Sequence, residues 1–274
     1  MSLPVPACRV AATAWRGART TQAERTIPEE TAVALTYNRA TYAVMMATPA
    51  DLEDFAVGFS LNEGVITSLS ELVDLEIVAL DKGIELRMTL ADRQADALLD
   101  RRRFLAGPTG CGLCGMESLD EAMRTPRVVA ANLRVTGADI AAALSALPVA
   151  QALNRQTGAV HAAGYCEQGR GLVALREDVG RHNALDKLAG ALARGSMPAA
   201  RGMILLTSRV SVEMVQKVAA MGAPVLVAVS APTALALRTA EAAGVTLVAV
   251  ARADGFEVFT HPARVAMEGA ASVA

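Results

Sequence analysis

Aromatic side chains are scarce in this chain: Phe, Trp and Tyr together make up 3% of it, with a single tryptophan. A core cannot then be built around large rings. The apolar 53% must come mainly from Ala, Val, Leu, Ile and Met, a mixture that suits helices laid on a sheet. Cysteine is scarce too. Cys8, Cys111, Cys114 and Cys166 are too few and too dispersed for a disulfide framework in 274 residues, so a closely spaced pair reads as catalytic or metal-binding in a reducing compartment. No apolar run is long enough to cross a bilayer, and Arg9, Arg16 and Arg19 stand where a secretory leader would be apolar. The expectation is a soluble, cytoplasmic protein without membrane insertion. Neither sign of charge dominates, with 26 basic against 28 acidic residues, so no whole-chain footprint for nucleic acid is present.

What is there begins with residues 1–30, whose mixed charge, prolines and lack of periodicity suggest an irregular N-terminal arm. Residues 31–135 read as a smaller α+β part. Thr31 to Tyr37 and Thr41 to Met46 form a hairpin about Asn38-Arg39, and Val73 to Ala79 with Ile84 to Leu90 form another. Between them Thr48 is placed to cap a helix with Pro49 in its first turn and Leu52, Phe55, Ala56 and Phe59 on one face, ending near Gly64. A basic helix from Asp92 to Leu105 then leads into a glycine-rich loop. Residues 136–274 read as the main α/β domain, with a Thr136-capped helix followed by alternating strands and helices. Runs such as Met203 to Leu206 and Val225 to Val229 are apolar on both faces, as central strands covered on both sides are.

The loop Gly110-Cys111-Gly112-Leu113-Cys114-Gly115 carries the sharpest chemistry. A thiolate attacks sulfur or binds metal, and nearby Arg or the backbone amides of a glycine-rich turn raise its share. A zinc site would need two further ligands, and His161, Cys166, His182 and His261 offer no second closely spaced pair. A thioredoxin-like motif would follow a strand, whereas this pair follows a basic helix. A zinc deaminase would need Glu where Ala163 stands. No metal site is therefore expected. Cys166 reads as a small core residue, and Cys8 has no assigned role.

Three further segments sit where strands hand over to helices. Arg176 to Lys187 concentrates charge: it is either a solvated helix start with Asp178 as cap and Asp186 and Lys187 in water, or an anion contact zone in which Arg181 and Lys187 supply charge. Thr207-Ser208-Arg209-Val210-Ser211 and Ser230-Ala231-Pro232-Thr233 follow consecutive buried strands. Ser211 and Thr233 can be simple caps, yet such loops converge on ligands at the carboxyl ends of parallel strands, and Ser208 with Arg209 favours an anion. Arg252 and Asp254 leave another strand end, with donor chemistry for a phosphate and acceptor chemistry for a guanine edge. His261 before Pro262 reads as structural.

Taken together, residues 110–115, Glu177 to Lys187, Ser208 to Lys217 and Phe259-Thr260-His261-Pro262 resemble the formate dehydrogenase accessory sulfurtransferase family, in the same order and spacing from about residue 30 to 265. The resemblance implies a cytidine-deaminase-like mixed sheet flanked by helices, without zinc chemistry, beside the smaller N-terminal part. It implies a homodimer that takes persulfide sulfur from a cysteine desulfurase and passes it to the molybdenum bis(guanine dinucleotide) cofactor of a formate dehydrogenase. GDP-like nucleotides would mimic that cofactor. The family's persulfide position falls on Cys111 and its second cysteine on Cys114. Its cofactor-binding segment falls on Val250, Ala251, Arg252, Ala253, Asp254 and Gly255, where Ala251 and Ala253 replace Cys and Pro of other members and backbone contacts are the ones expected to persist. Beside this stand a non-covalent guanine-nucleotide or molybdenum-cofactor chaperone, which would keep binding nucleotide without its cysteines, and a zinc-binding protein, which would lose metal with them.

Overall fold

The structure, a computed structural model, describes residues 2–91, 126–252 and 254–267. Cys111, Cys114 and Ala253 lie outside the described residues, as does the helix expected over 92–105.

Residues expected to form an irregular arm instead form a regular ribbon: β1 (Ala7–Arg16) pairs antiparallel with β2 (Arg19–Pro28). Gly17 and Ala18 turn it, both at positive φ, the two-residue geometry whose twist matches paired strands. The sequence hides this ribbon because only β1 alternates, with Cys8, Val10, Ala12 and Ala14 half-buried on one face, while β2 is mostly polar and exposed. A four-stranded sheet follows in the order β4-β3-β6-β5, from β3 (Thr31–Tyr37), β4 (Ala40–Ala47), β5 (Leu72–Leu80) and β6 (Gly83–Leu90). Both hairpins expected here are present, and β3 and β6 run parallel at the centre. One face of the sheet buries Val33, Leu35, Ile84 and Leu86 against Phe55 and Phe59 of α1 (Leu52–Asn62).

The larger layer is a six-stranded mixed sheet in the order β13-β12-β11-β10-β8-β9. Its strands are β8 (His161–Glu167), β9 (Gly171–Asp178), β10 (Gly202–Leu206), β11 (Val225–Ala228), β12 (Thr246–Arg252) and β13 (Gly255–Val258), while short β7 (Val135–Thr136) and β14 (Val265–Ala266) pair apart from it. β10, β11 and β12 are parallel. Alternate residues of β10 and β11 serve two cores, as continuous apolar runs require. Ile204, Leu206 and Leu226 pack under α4 (Arg181–Arg194), α5 (Val212–Met221) and α6 (Ala234–Ala243), and Met203, Leu205, Val225 and Val227 pack under α2 (Gly137–Ala150), which precedes the short α3 (Ala152–Thr157). Thr136 caps α2 in a reciprocal box with Asp139, as its sequence predicts.

The two layers join where α1 crosses α4, backbone against backbone. A Cβ on Gly58 would lie 1.7 Å from the Asp186 carbonyl oxygen, and one on Gly190 would lie 1.9 Å from that of Asp54. Thr48 is not a helix cap. Its N–H donates to Asp178 Oδ2 at 2.9 Å, its carbonyl accepts from Lys187 Nζ at 2.8 Å, and its hydroxyl accepts from Val179 N–H at 3.1 Å. Asp51 occupies the N-cap position of α1 in a left-handed conformation and makes no capping bond.

Candidate functional site

Because β10, β11 and β12 run parallel, their carboxyl ends share one edge, and β8, antiparallel to β10, begins there. Thr207 ties the two together: its N–H donates to the Ala162 carbonyl at 3.1 Å and its Oγ1 accepts from Ala162 N–H at 2.9 Å. The loop after β10 is laced to the loop after β11 by Val210 N–H to the Ala231 carbonyl and Thr233 N–H to the Val210 carbonyl. Val250 N–H reaches back to Ser230. Val250 itself has φ 51°, a conformation disfavoured for a β-branched side chain, at a register irregularity between β12 and β13. Strained backbone of this kind persists only where the surroundings enforce it.

The expected site residues converge on this edge with different roles. Ser208 is buried and donates to its neighbour's carbonyl, so it shapes the loop; Arg209 beside it is exposed and its guanidinium has no partner among the described residues. Arg252, Asp254 and Gly255 are exposed, whereas Ala251 is buried and can offer only backbone. Arg181 opens α4, whose N-cap, Gly180, has no side-chain bond to offer. The N-termini of α4 and α5, which carry no side-chain cap, together with Arg181, Arg209 and Arg252, make an edge suited to an anion.

Lys187 does not belong to that set. It is fully buried, 2.6 Å from the equally buried Asp178, and Asp186 on the same helix is buried too. The reading in which Asp186 and Lys187 face water, and the one in which Lys187 meets a ligand, are both overturned because α1 covers this face of α4. Asp186 accepts from Asn62 at 2.7 Å and from Lys217 at 2.8 and 2.9 Å, and Lys217 also donates to Glu63 at 3.0 Å. Burial alone would drive the Lys217 ammonium toward neutrality; Asp186 and Glu63 outweigh it and hold the pKa above its ordinary value. Of the two proposed caps, Thr233 accepts from Ala236 N–H at 3.2 Å, while Ser211 makes no capping bond.

Sequence reasoning missed a pair at the same edge. His182 in the first turn of α4 places Nε2 2.5 Å from Glu213 Oε2 in the first turn of α5, close but not aligned as a hydrogen bond. The neighbouring imidazole holds the Glu213 carboxyl below its ordinary value, against the opposing effect of burial. His161, at the start of β8, is shifted the other way: burial, then the charge of Arg181, lowers its pKa. Among the described residues the buried side-chain atoms without a hydrogen-bond partner are Arg181 Nε, His182 Nε2, Ser211 Oγ and Glu213 Oε1, all at this edge. Such orphans are rare in folded interiors, and each calls for a partner such as an ordered water, an ion or a ligand. The signal available in the sequence was positional, since both His182 and Glu213 stand in the first turn of helices that follow strand ends.

Away from this edge, Cys166 and His261 among the described residues read as structural. Burial pushes the Cys166 thiol up to about 12, as befits a core residue. His261 Nε2 lies 3.0 Å from the Glu241 carbonyl oxygen, in keeping with a structural role. No helix among the described residues is long and apolar enough to cross a membrane.

The chain is similar to known proteins over nearly its full length. Residues 28–266 match the model of the FdhD/NarQ family. The chain is 54% identical over 258 residues to a protein of Agrobacterium fabrum named sulfur carrier protein FdhD, covering 94% of this chain and 95% of that one. It is 50% identical over 254 residues to a protein of the same name from Cupriavidus necator, covering 93% and 88% of the two chains. The fold matches the crystal structure of a putative formate dehydrogenase accessory protein from Desulfotalea psychrophila with a TM-score of 0.72 at 26% identity, over 96% of this chain and all of that one.

Proposed function

This chain belongs to the FdhD/NarQ family, and on that premise we propose that it is a sulfur carrier in formate dehydrogenase maturation, a sulfurtransferase that takes persulfide sulfur from a cysteine desulfurase and passes it to the molybdenum bis(guanine dinucleotide) cofactor. The observation that carries the reading is similarity of about half of all residues, over nearly the full length, to proteins named as sulfur carriers. In the loading step the Cys111 thiolate attacks the outer sulfur of the desulfurase persulfide. A new S–S bond forms at Cys111, the donor's S–S bond breaks, and the donor cysteine leaves as thiolate. Cys114, three residues on, is the second thiol of the same Cys-x-x-Cys motif.

The cofactor in this reading lies along the strand-end edge. Its diphosphates meet Arg181, Arg209 and the amides of the helix starts, Ser208 shapes the loop between them, and Val250 to Gly255 offer backbone and the exposed Arg252 and Asp254. GDP-like nucleotides are the corresponding probes. The six-stranded sheet with helices on both faces is, in the same proposal, a cytidine-deaminase-like layer; Ala163 stands where the deaminase glutamate would be. The working assembly is a homodimer in the cytoplasm.

The test is intact and peptide mass analysis, under non-reducing conditions, of protein incubated with a cysteine desulfurase and free cysteine. One added sulfur on the Cys111 peptide, lost in Cys111→Ala, is the expected result. No added sulfur from a competent desulfurase would favour the chaperone reading, which predicts guanine-nucleotide binding that survives loss of both cysteines.

A further inference from the structure

The β1–β2 ribbon is poorly provided for by its own chain. At about 3.3 Å per residue it reaches roughly 30 Å from foot to tip. Its recorded side-chain tie to the rest of the described chain is at the foot, where Arg25 donates to the Thr157 carbonyl at 3.3 Å. Beyond that point nearly every residue of β2 is exposed, and Trp15, two residues from the turn, is 72% exposed. An isolated two-stranded ribbon is only marginally stable in water, and a bare indole at its tip is the side chain most enriched where proteins meet. The ribbon also lies outside the residues that match the family model.

Charge sets it apart further. The ribbon carries Arg9, Arg16, Arg19 and Arg25 against a single acid, Glu24, a net +3 in a chain whose total is −2, so the remainder is net −5. At its foot lies a cleft of about 480 Å³ lined by Ala7, Ala50, Leu153 and Leu175, with the carboxylates of Asp51 and Glu177. Glu177 is engaged at the start of α3, accepting from Leu153 and Asn154 N–H at 2.8 Å, while Asp51, 41% exposed, also faces Arg176 at 3.5 Å within its own chain. Thus the tip presents an indole flanked by arginines, and the foot presents an apolar cleft rimmed by carboxylates. The two lie too far apart along one ribbon to meet within a single copy.

We propose that the ribbon clasps a second copy of this chain, with Trp15 of each copy seated in the cleft at the foot of the other's ribbon and Arg16 beside Asp51. Two ribbons lying antiparallel about a two-fold axis place each tip at the other's foot, the self-complementary arrangement that a closed dimer requires. This deepens the homodimer named above by giving it a contact, and it is independent of the sulfur chemistry.

Trp15 is the chain's only tryptophan, so wild-type emission reads the contact directly. Sedimentation and fluorescence are measured together across a dilution series of the full chain. The expected result is a dimer whose formation shifts the emission to the blue and shields the indole from acrylamide. Trp15→Ala and Asp51→Lys should each weaken self-association, Trp15→Ala by ~30-fold or more as for a central aromatic anchor, with circular dichroism and thermal midpoint of the monomer retained in Trp15→Ala. A dimer in which Trp15 stays red-emitting and fully quenchable overturns the contact while leaving the homodimer standing. A chain that remains monomeric at its highest soluble concentration overturns both, and persulfide loading of Cys111 decides the carrier reading separately.

Discussion

Two polar regions flank the same helix, α4, and they handle charge in opposite ways. Between α1 and α4, Asp178, Lys187 and Asp186 are buried and Lys217 is largely covered, with their hydrogen bonds made to one another and to Thr48, Asn62 and Glu63. Arg176 and Arg194 close the same seam on Asp54 at 2.7 and 2.6 Å. At the strand-end edge, one turn away, Arg209 and Arg252 are exposed, and the buried Arg181 Nε, Ser211 Oγ and Glu213 Oε1 have no hydrogen-bond partner among the described residues. The seam is a closed ledger of charge and serves the fold. The edge is open, and in the proposed reading an anion completes it. Residues adjacent in sequence, Arg181 and His182 against Asp186 and Lys187, divide between these roles according to what packs over them.

Substitutions at the seam should therefore have the largest effects on stability. Lys187→Ala leaves Asp178 buried without its counter-ion, and breaking one side of such a pair costs about 3–5 kcal/mol. Denaturant unfolding should show that loss, and a double Lys187→Met, Asp178→Asn variant should recover part of it; a loss below about 1 kcal/mol would mean that the pair is not closed in solution. Gly58→Ala and Gly190→Ala force a side chain onto a carbonyl of the facing helix. They should cost about 1–3 kcal/mol as overpacking does, more where the helices cannot part.

Next in size is a pH effect confined to the edge. The fold holds His161 below its ordinary value of 6.5, so as pH falls through that value the unfolded chain takes up a proton first and stability declines. His161→Asn should flatten stability against pH below 6.5. Glu213 acts in a more acidic window: its folded carboxyl sits below 4.5, so its contribution is full above that pH and is lost as pH falls through the folded value. His182→Gln should shrink that acidic loss, which thermal unfolding across pH would reveal. An unchanged profile in either variant would place these groups in water.

Much of this division was invisible in the sequence. The strands β3 and β6 and the helix α5 were legible because their apolar spacing is regular, and α5 spans the expected Val212–Met221. The convergence of Arg181, Ser208, Arg209 and Arg252 followed from parallel strands sharing an edge. Asp186 and Lys187 misled because consecutive charges on a helix normally mark its wet face, and nothing local shows that α1 lies over them. Gly58 and Gly190 were the available hint, each a poor helix former inside a helix and each required by the close crossing. Thr48 looked like a cap because Thr-Pro commonly opens a helix; its three backbone and side-chain bonds go instead to residues about 130 positions away. The β1–β2 ribbon lacked an apolar face on β2 to announce it.

The smallest expected effect is at Cys166. With its thiol pushed up to about 12, it should resist alkylation at pH 8 in the folded protein and react only on unfolding. Labelling of Cys166 in native protein at the rate of a free thiol would contradict its burial.

The most direct test of the open edge is a calorimetric titration of GDP into wild type, Lys187→Met with Asp178→Asn, and Arg209→Glu with Arg252→Glu. The account predicts that the edge variant loses binding while its unfolding free energy stays within about 0.5 kcal/mol of wild type, as surface changes do, and that the folded fraction of the seam variant still binds. Undiminished GDP affinity in the edge variant would contradict it.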